Sequence, residues 1–132
     1  MDPDNETSPA VDVYDTAHGA WAKGPDLPSG KLDGFGCSAI AQNGLVYVTA
    51  LQGDLLCLGQ DGLSWNVAGR LEHPRMAHRL VTASLTRLIA LGGEDGAENK
   101  LPGLELLTPA SDSPDVQANA HASTQNPNTA RP

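Results

Sequence analysis

The sequence predicts an all-β fold, and three observations carry that expectation. Its apolar residues come in short runs of four or five, several alternating with polar ones as half-buried strands do. The runs are separated by turn formers, drawn from 14 Gly and 10 Pro in 132 residues. Nowhere does an apolar pattern persist at the i, i+3, i+4, i+7 spacing of an amphipathic helix.

The first strand is expected over 11–15, where Val11-Asp12-Val13-Tyr14 alternates. After a turn near His18-Gly19, a second strand over 20–23 carries Trp21, and Pro25, Pro28, Gly30 and Gly34 then mark a long loop. Strands at 36–41 and 45–51 flank Asn43-Gly44, a hairpin signal because a type I′ turn needs positive φ at both central residues. Strands at 55–59 and 64–68 flank Asp61-Gly62, which repeats the signal. Strands at 78–84 and 87–92 follow, the second ending in Gly92-Gly93, and Leu104-Glu105-Leu106-Leu107 marks the last, over 103–108.

Composition divides the chain into a polar leader (1–9), a folded zone (10–109) and a tail (110–132). The tail holds one branched apolar residue, Val116, and no aromatic. It cannot bury enough surface to offset ordering entropy of about 1–2 kcal/mol per residue and is expected to be disordered. His121 within it is read as a solvated imidazole. The formal charge is −8, with only three Lys and five Arg, all scattered; this argues against nucleic acid, whose binders cluster cations on phosphates. No apolar stretch nears the roughly 20 residues of a membrane span. The acidic start lacks the basic and apolar regions of a secretory signal, so a cytosolic location is the expectation. Asn5-Glu6-Thr7 fits a glycosylation sequon, a pattern frequent by chance.

The strand series repeats. Trp21 and Trp65 lie 44 residues apart, as do Tyr14 and Leu58, and Leu27 and Leu71; Tyr47 and Ile89 lie 42 apart. A unit of about forty residues with four short strands is the pattern of a propeller blade. Val11-Asp12-Val13-Tyr14-Asp15, Trp21 and Gly24-Pro25-Asp26-Leu27-Pro28 resemble the kelch repeat. So do Pro74-Arg75, His78 and Leu88-Ile89-Ala90-Leu91-Gly92-Gly93. The resemblance covers about residues 10–108. It departs where Ala50-Leu51 replaces the double Gly, where Gly36 replaces the histidine, and where no Trp follows Leu107. The other reading of these strands is a generic antiparallel sandwich.

The resemblance implies kelch-type β-propeller blades, about two four-stranded antiparallel blades of an incomplete propeller. With strands lettered a to d from the axis outward, the chain runs c-d, then a-b-c-d, then a-b-c. Closed propellers use about 4–8 blades. The chain is therefore expected to be part of a longer propeller, a gene fragment, or a form that assembles with its own copies. Open blade edges make self-association an expectation. Trp21 and Trp65 are expected to fill the wedges between blades. Cys37 and Cys57 fall on strands a and c, too far apart for a disulfide, and are expected as buried thiols.

In such blades the d–a and b–c loops emerge on one side. That side would gather Lys31, Asp33, His73 and Arg75 from d–a loops, with Gln52, Glu94, Asp95 and Glu98 from b–c loops. Binding residues concentrate on loops of this kind, so the face is the candidate site for a protein or glycan partner; each residue alone can equally be a solvated rim position. His73, Arg75, His78 and Arg79 form the densest polar cluster, without the Cys or acid at ligand spacing that a metal site needs. The resemblance implies a structural role for Arg75 and His78, bonding loop backbone. No nucleophile elbow, phosphate loop or zinc motif occurs, and no cofactor is implied. The leading expectation is a non-catalytic binding module. The alternative is part of a sugar-active propeller enzyme, galactose oxidase-like or sialic acid isomerase-like. Tyr14 and Tyr47 sit in strand positions without histidines to match a copper site.

Overall fold

The computed structural model describes residues 7–30 and 32–110; the expected tail beyond Ala110, with His121, and the first six leader residues lie outside the described residues. Within them are nine short strands and no helix. The strands are β1 (Asp12–Asp15), β2 (Ala20–Lys23), β3 (Ser38–Gln42), β4 (Leu45–Thr49), β5 (Asp54–Leu58), β6 (Trp65–Arg70), β7 (Arg79–Ser84), β8 (Arg87–Leu91) and β9 (Leu104–Leu107). They form three antiparallel sheets, β1-β2, β3-β4-β5-β6 and β7-β8-β9. The fold is all-β, and its sheets have two, four and three strands, the grouping that the resemblance implied.

Turn chemistry explains the boundaries. Asn43 and Gly44 both take positive φ (52° and 76°), closing β3 onto β4 in two residues. The Asp61-Gly62 hairpin differs from its twin. Its loop is longer, bonded from Gly59 N to Ser64 O and from Gly62 N to Gly59 O at 2.8 Å each, and only Gly62 has positive φ. β6 runs to Arg70, past the expected end, because a bulge between Leu55 and Leu56 brings Asp54 opposite Arg70.

The 44-residue offset is visible in the hydrogen bonding. Tyr14 pairs with Trp21, and Leu58 with Trp65. Leu27 N donates to Pro9 O at 2.9 Å, and 44 residues later Leu71 N donates to Gly53 O at 2.7 Å. Pro9, which composition places in the leader, is therefore part of the repeating framework.

The core is the seam between the second and third sheets. Residues paired across an antiparallel ladder share a face. Tyr47, Leu55 and Cys57, with Ala68 and Leu71, meet Leu80, Leu88, Ala90 and Leu107 from the third sheet. Leu55 and Leu88 are wholly buried, each contributing about 2 kcal/mol. Polar groups join the inner strands: Leu80 N donates to Ser38 Oγ (2.9 Å), Gln42 Nε2 to Leu85 O (3.0 Å), and Ala77 N to Gly36 O (2.8 Å).

Two expectations are corrected. Trp65 is half-buried, its indole N–H bonded to Pro25 O at 2.9 Å, but Trp21 is 71% exposed and rests only against Tyr14, with ring centroids 5.0 Å apart. No described sheet covers that side of the first hairpin, all of whose strand residues are exposed. Cys37 is exposed and precedes β3, and Cys57 is only half-buried; no disulfide joins them. The outer face of the third sheet, where Ile89 and Leu91 lie opposite Leu106 and Leu104, leaves Leu104 67% exposed.

Gly93 shows what the double glycine accomplishes. Its φ is +96°, and a Cβ there would lie 2.6 Å from Met76 O and 2.9 Å from His78 Cβ. Gly62 also has positive φ but faces open space. Gly62→Ala should cost about 1 kcal/mol, the penalty of a left-handed alanine, and Gly93→Ala clearly more, because backbone must also move. Urea midpoints of the two variants test this; equal losses would refute the close-approach role of Gly93.

Candidate functional site

Up-and-down strand order puts the loops at 24–37, 50–53, 71–78 and 92–103 at one end of the sheets. They are stitched into a continuous rim. A Cβ on Gly30 would lie 1.9 Å from Gln52 Nε2, one on Gly53 would lie 2.9 Å from Pro74, and one on Gly36 would lie 2.9 Å from Met76 Cβ. Met76 in turn bridges Glu94, with N to O distances of 2.9 and 3.0 Å. These loops bring Asp33, Gln52, His73, Arg75, Glu94 and Asp95 to one end; Lys31 lies outside the described residues.

Several of these side chains are committed to the rim itself. Arg75 is corrected as a binding residue. It is 3% exposed, and its Nε donates to His73 O (3.0 Å), Nη1 to Gly92 O and Gly103 O (3.1 and 3.3 Å), and Nη2 to Glu105 Oε2 (3.2 Å). A planar fork with five N–H groups suits this joining of three loop segments. Removing one partner of such a buried pair typically costs about 3–5 kcal/mol. Asp95 folds its own loop: Oδ1 accepts from Ala97 N and Asn99 N (2.8 and 3.0 Å), and Oδ2 from Asn99 Nδ2 (2.9 Å). Asp33 Oδ1 accepts from Gly30 N at 2.9 Å. Gln52 packs on Gly30. Glu94 is tied through its backbone, and His73 remains exposed, its Nδ1 3.8 Å from Glu105 Oε2.

Sequence reasoning passed over Glu105. It also accepts from the backbone N–H groups of Glu72 and His73. The signal was one acid in an otherwise leucine strand, opposite Ala90 on the seam face. It passed over Leu32 and Phe35 as well. Leu32, Asp33, Gly34 and Gly36 all have positive φ (61°, 33°, 78° and 64°), and Phe35 N donates to Leu32 O at 2.7 Å. Two non-glycine residues held in this region mark stored strain. The loop they shape leaves Leu32 exposed and Phe35 43% exposed. Three glycines in the seven residues 30–36 were the available signal.

Behind the rim, His78 is buried with its Nε2 on the Thr49 hydroxyl; its Nδ1 is buried and has no partner among the described residues. Burial, and then the Arg75 guanidinium, push this imidazole below its ordinary value. No group of three or more His, Cys, Asp or Glu among the described residues is placed to hold a metal ion. Among the described residues no helix is long and apolar enough to cross a membrane. No protein-family model matches the chain, and no curated protein matches it.

The His78 shift fixes a pH dependence. The folded state prefers the neutral ring, so the unfolded state binds the proton more tightly. His78 then contributes full stability above the unfolded value, about 6.5, and loses it as pH falls from there toward the lower folded value. Thermal melts should drop between pH 7.5 and 5 by more in the natural chain than in His78→Gln. Equal drops would show that His78 does not set the acid limit.

Proposed function

We propose that the three sheets are blades of a kelch-type propeller serving as a non-catalytic protein-binding module. The blade reading rests on the 44-residue correspondence of cross-strand pairs and loop hydrogen bonds, and on sheets packed face to face rather than joined edge to edge. The outer face of the third sheet supports it too. Val81, Ile89, Leu91, Leu104 and Leu106 occupy there the ladder positions that Ile40, Tyr47, Thr49, Leu55 and Cys57 occupy at the seam. In a longer propeller another blade covers this face; for the 132-residue chain alone, a second copy does.

One observation carries the binding reading. The strained 32–36 loop displays Leu32 and Phe35 at the rim, and an exposed aromatic on a loop held by a rigid sheet is the anchor type that dominates protein interfaces. Glu72, Glu94, Asp95 and Glu98 make the surrounding loops acidic, which favours a partner with basic residues around an apolar spot.

Two experiments test these readings. Light scattering of the isolated chain should show association, reduced to monomer by Leu104→Lys with Leu106→Lys; a monomeric natural chain at high concentration would remove the blade-face argument. Affinity capture should yield a protein set lost with Phe35→Ala but kept with Leu63→Ala, an exposed apolar change at the opposite end. Sets unchanged by Phe35→Ala would sink the rim as a docking surface, and a glycan-array signal lost with that variant would replace protein by glycan.

A further inference from the structure

The opposite end of the seam holds a cavity of about 350 Å³ that the rim does not use. It opens between the β3–β4 and β7–β8 turns and the 58–60 loop, and it is floored by Tyr47, Cys57, Asn66 and Ala68. Its size falls in the range of small-molecule sites. No charged side chain lines it. The polar groups are amides, hydroxyls and one thiol, set among Leu45, Leu58 and Leu85.

Gln42 points to what such a space accepts. The residue is 9% exposed and lines the cavity. Its Nε2 is fixed on Leu85 O at 3.0 Å, which orients the amide. Its Oε1 is buried and has no hydrogen-bond partner among the described residues. A buried acceptor of this kind is uncommon and calls for a donor. Beside it, burial and the neighbouring Cys57 push the Tyr47 hydroxyl above its ordinary value, so it stays protonated as a further donor or acceptor.

We propose that this cavity is a binding site for a small uncharged ligand with an apolar, flat body and an N–H or O–H group that donates to Gln42 Oε1. An ion would lose its hydration with nothing charged to replace it, so the lining selects against carboxylates and amines. An isostere lacking the donor would leave Gln42 unsatisfied and bind less well. The walls come from both sheets and from Pro109-Ala110, which Ala110 N ties to Ala68 O at 2.7 Å. A ligand there clasps the seam and stabilises the fold by mass action.

Benzamide, methyl benzoate and benzoate form the test set: alike in size, they carry respectively a donor, no donor, and a charge. Cys57 lines the cavity, while exposed Cys37 serves as an internal reference. N-Ethylmaleimide adds a thiol across its double bond without a leaving group, and peptide mapping reads each cysteine separately. Millimolar benzamide should slow Cys57 labelling at least threefold relative to Cys37 and raise the melting midpoint. Methyl benzoate should do so less, and benzoate not at all. Gln42→Met should abolish the preference for benzamide over methyl benzoate. Labelling and melting unaffected by benzamide, or equal effects of benzamide and methyl benzoate, would overturn the proposal. That comparison uses the natural chain and does not depend on the variant folding.

Discussion

The seam between the second and third sheets is the contact on which the rest of the molecule depends. Neither sheet has a second layer of its own. Leu55, Leu71, Leu88, Ala90 and Leu107 leave water only because the two sheets close on each other. Area burial would let two sheets slide, since it is nearly indifferent to register. The polar groups remove that freedom. Ser38 accepts from Leu80 N and Thr49 meets His78 at one end, and Gln42 donates to Leu85 O at the other, so both ends of the inner strands are held in one alignment. Arg75 and Glu105 extend this lock outward to the loops. The 71–78 and 92–103 loops of the rim are therefore tied to the seam, and the opposite cavity is as wide as the seam's alignment allows.

The same geometry explains why β3 and β7 lie side by side without forming a ladder. A backbone ladder would merge the sheets into one and leave each with a face in water. Side chains instead supply partners at the two ends of this edge: Ser38 for Leu80 N in β7, and Gln42 and Asn43 for Leu85 O in the turn after it. The edge is capped at both ends while the sheets remain free to stack, which is one way to manage a strand edge. Gly36 contributes from below, admitting Met76 and Ala77 closely enough for the Ala77 N to Gly36 O bond. Where the later repeat unit carries His78, Gly36 fills the same place with space instead of a hydrogen bond. That departure has a packing reason.

Much of the fold was legible because short-range rules governed it. Asn43-Gly44 marked a two-residue hairpin, alternation marked β1, and Gly92-Gly93 marked a sharp end. The 44-residue spacing of Leu27 and Leu71 was visible, but not that both donate to the matching carbonyls of Pro9 and Gly53. The candidate site was legible only as a location. Strand order alone placed its loops at one end. Which side chains stay available depends on contacts between loops, which no periodicity encodes. Asp95 looked like a surface polar residue and is spent on backbone amides; Arg75, offered both as a rim residue and as one that bonds loop backbone, is spent on backbone carbonyls. Glu105 was passed over and faces the seam. Trp21 looked like core because it matches Trp65, but the match concerns the unit, while burial depends on a neighbour. Only Trp65 has one.

That distinction bears on the whole chain. A repeat fixes the conformation of each unit, whereas stability comes from the contacts between units. Here the two differ sharply along the sequence. The hairpin β1–β2 has native turn geometry, a Lys23–Asp12 ion pair at 2.8 Å and a Tyr14–Trp21 contact, yet none of its strand residues is buried. Exposed ion pairs add at most a few tenths to about 1 kcal/mol, and an isolated two-stranded hairpin is marginal in water. It is held mainly through its following loop, by Trp65 on Pro25 and Leu27 on Pro9. The third sheet has one face sealed and the other, with Leu91, Leu104 and Leu106, open. Order in this molecule therefore decreases outward from the seam in both directions. The loop with Leu32 and Phe35 leads from the weakly held hairpin into the seam itself, which gives it a firm footing at one end and latitude at the other.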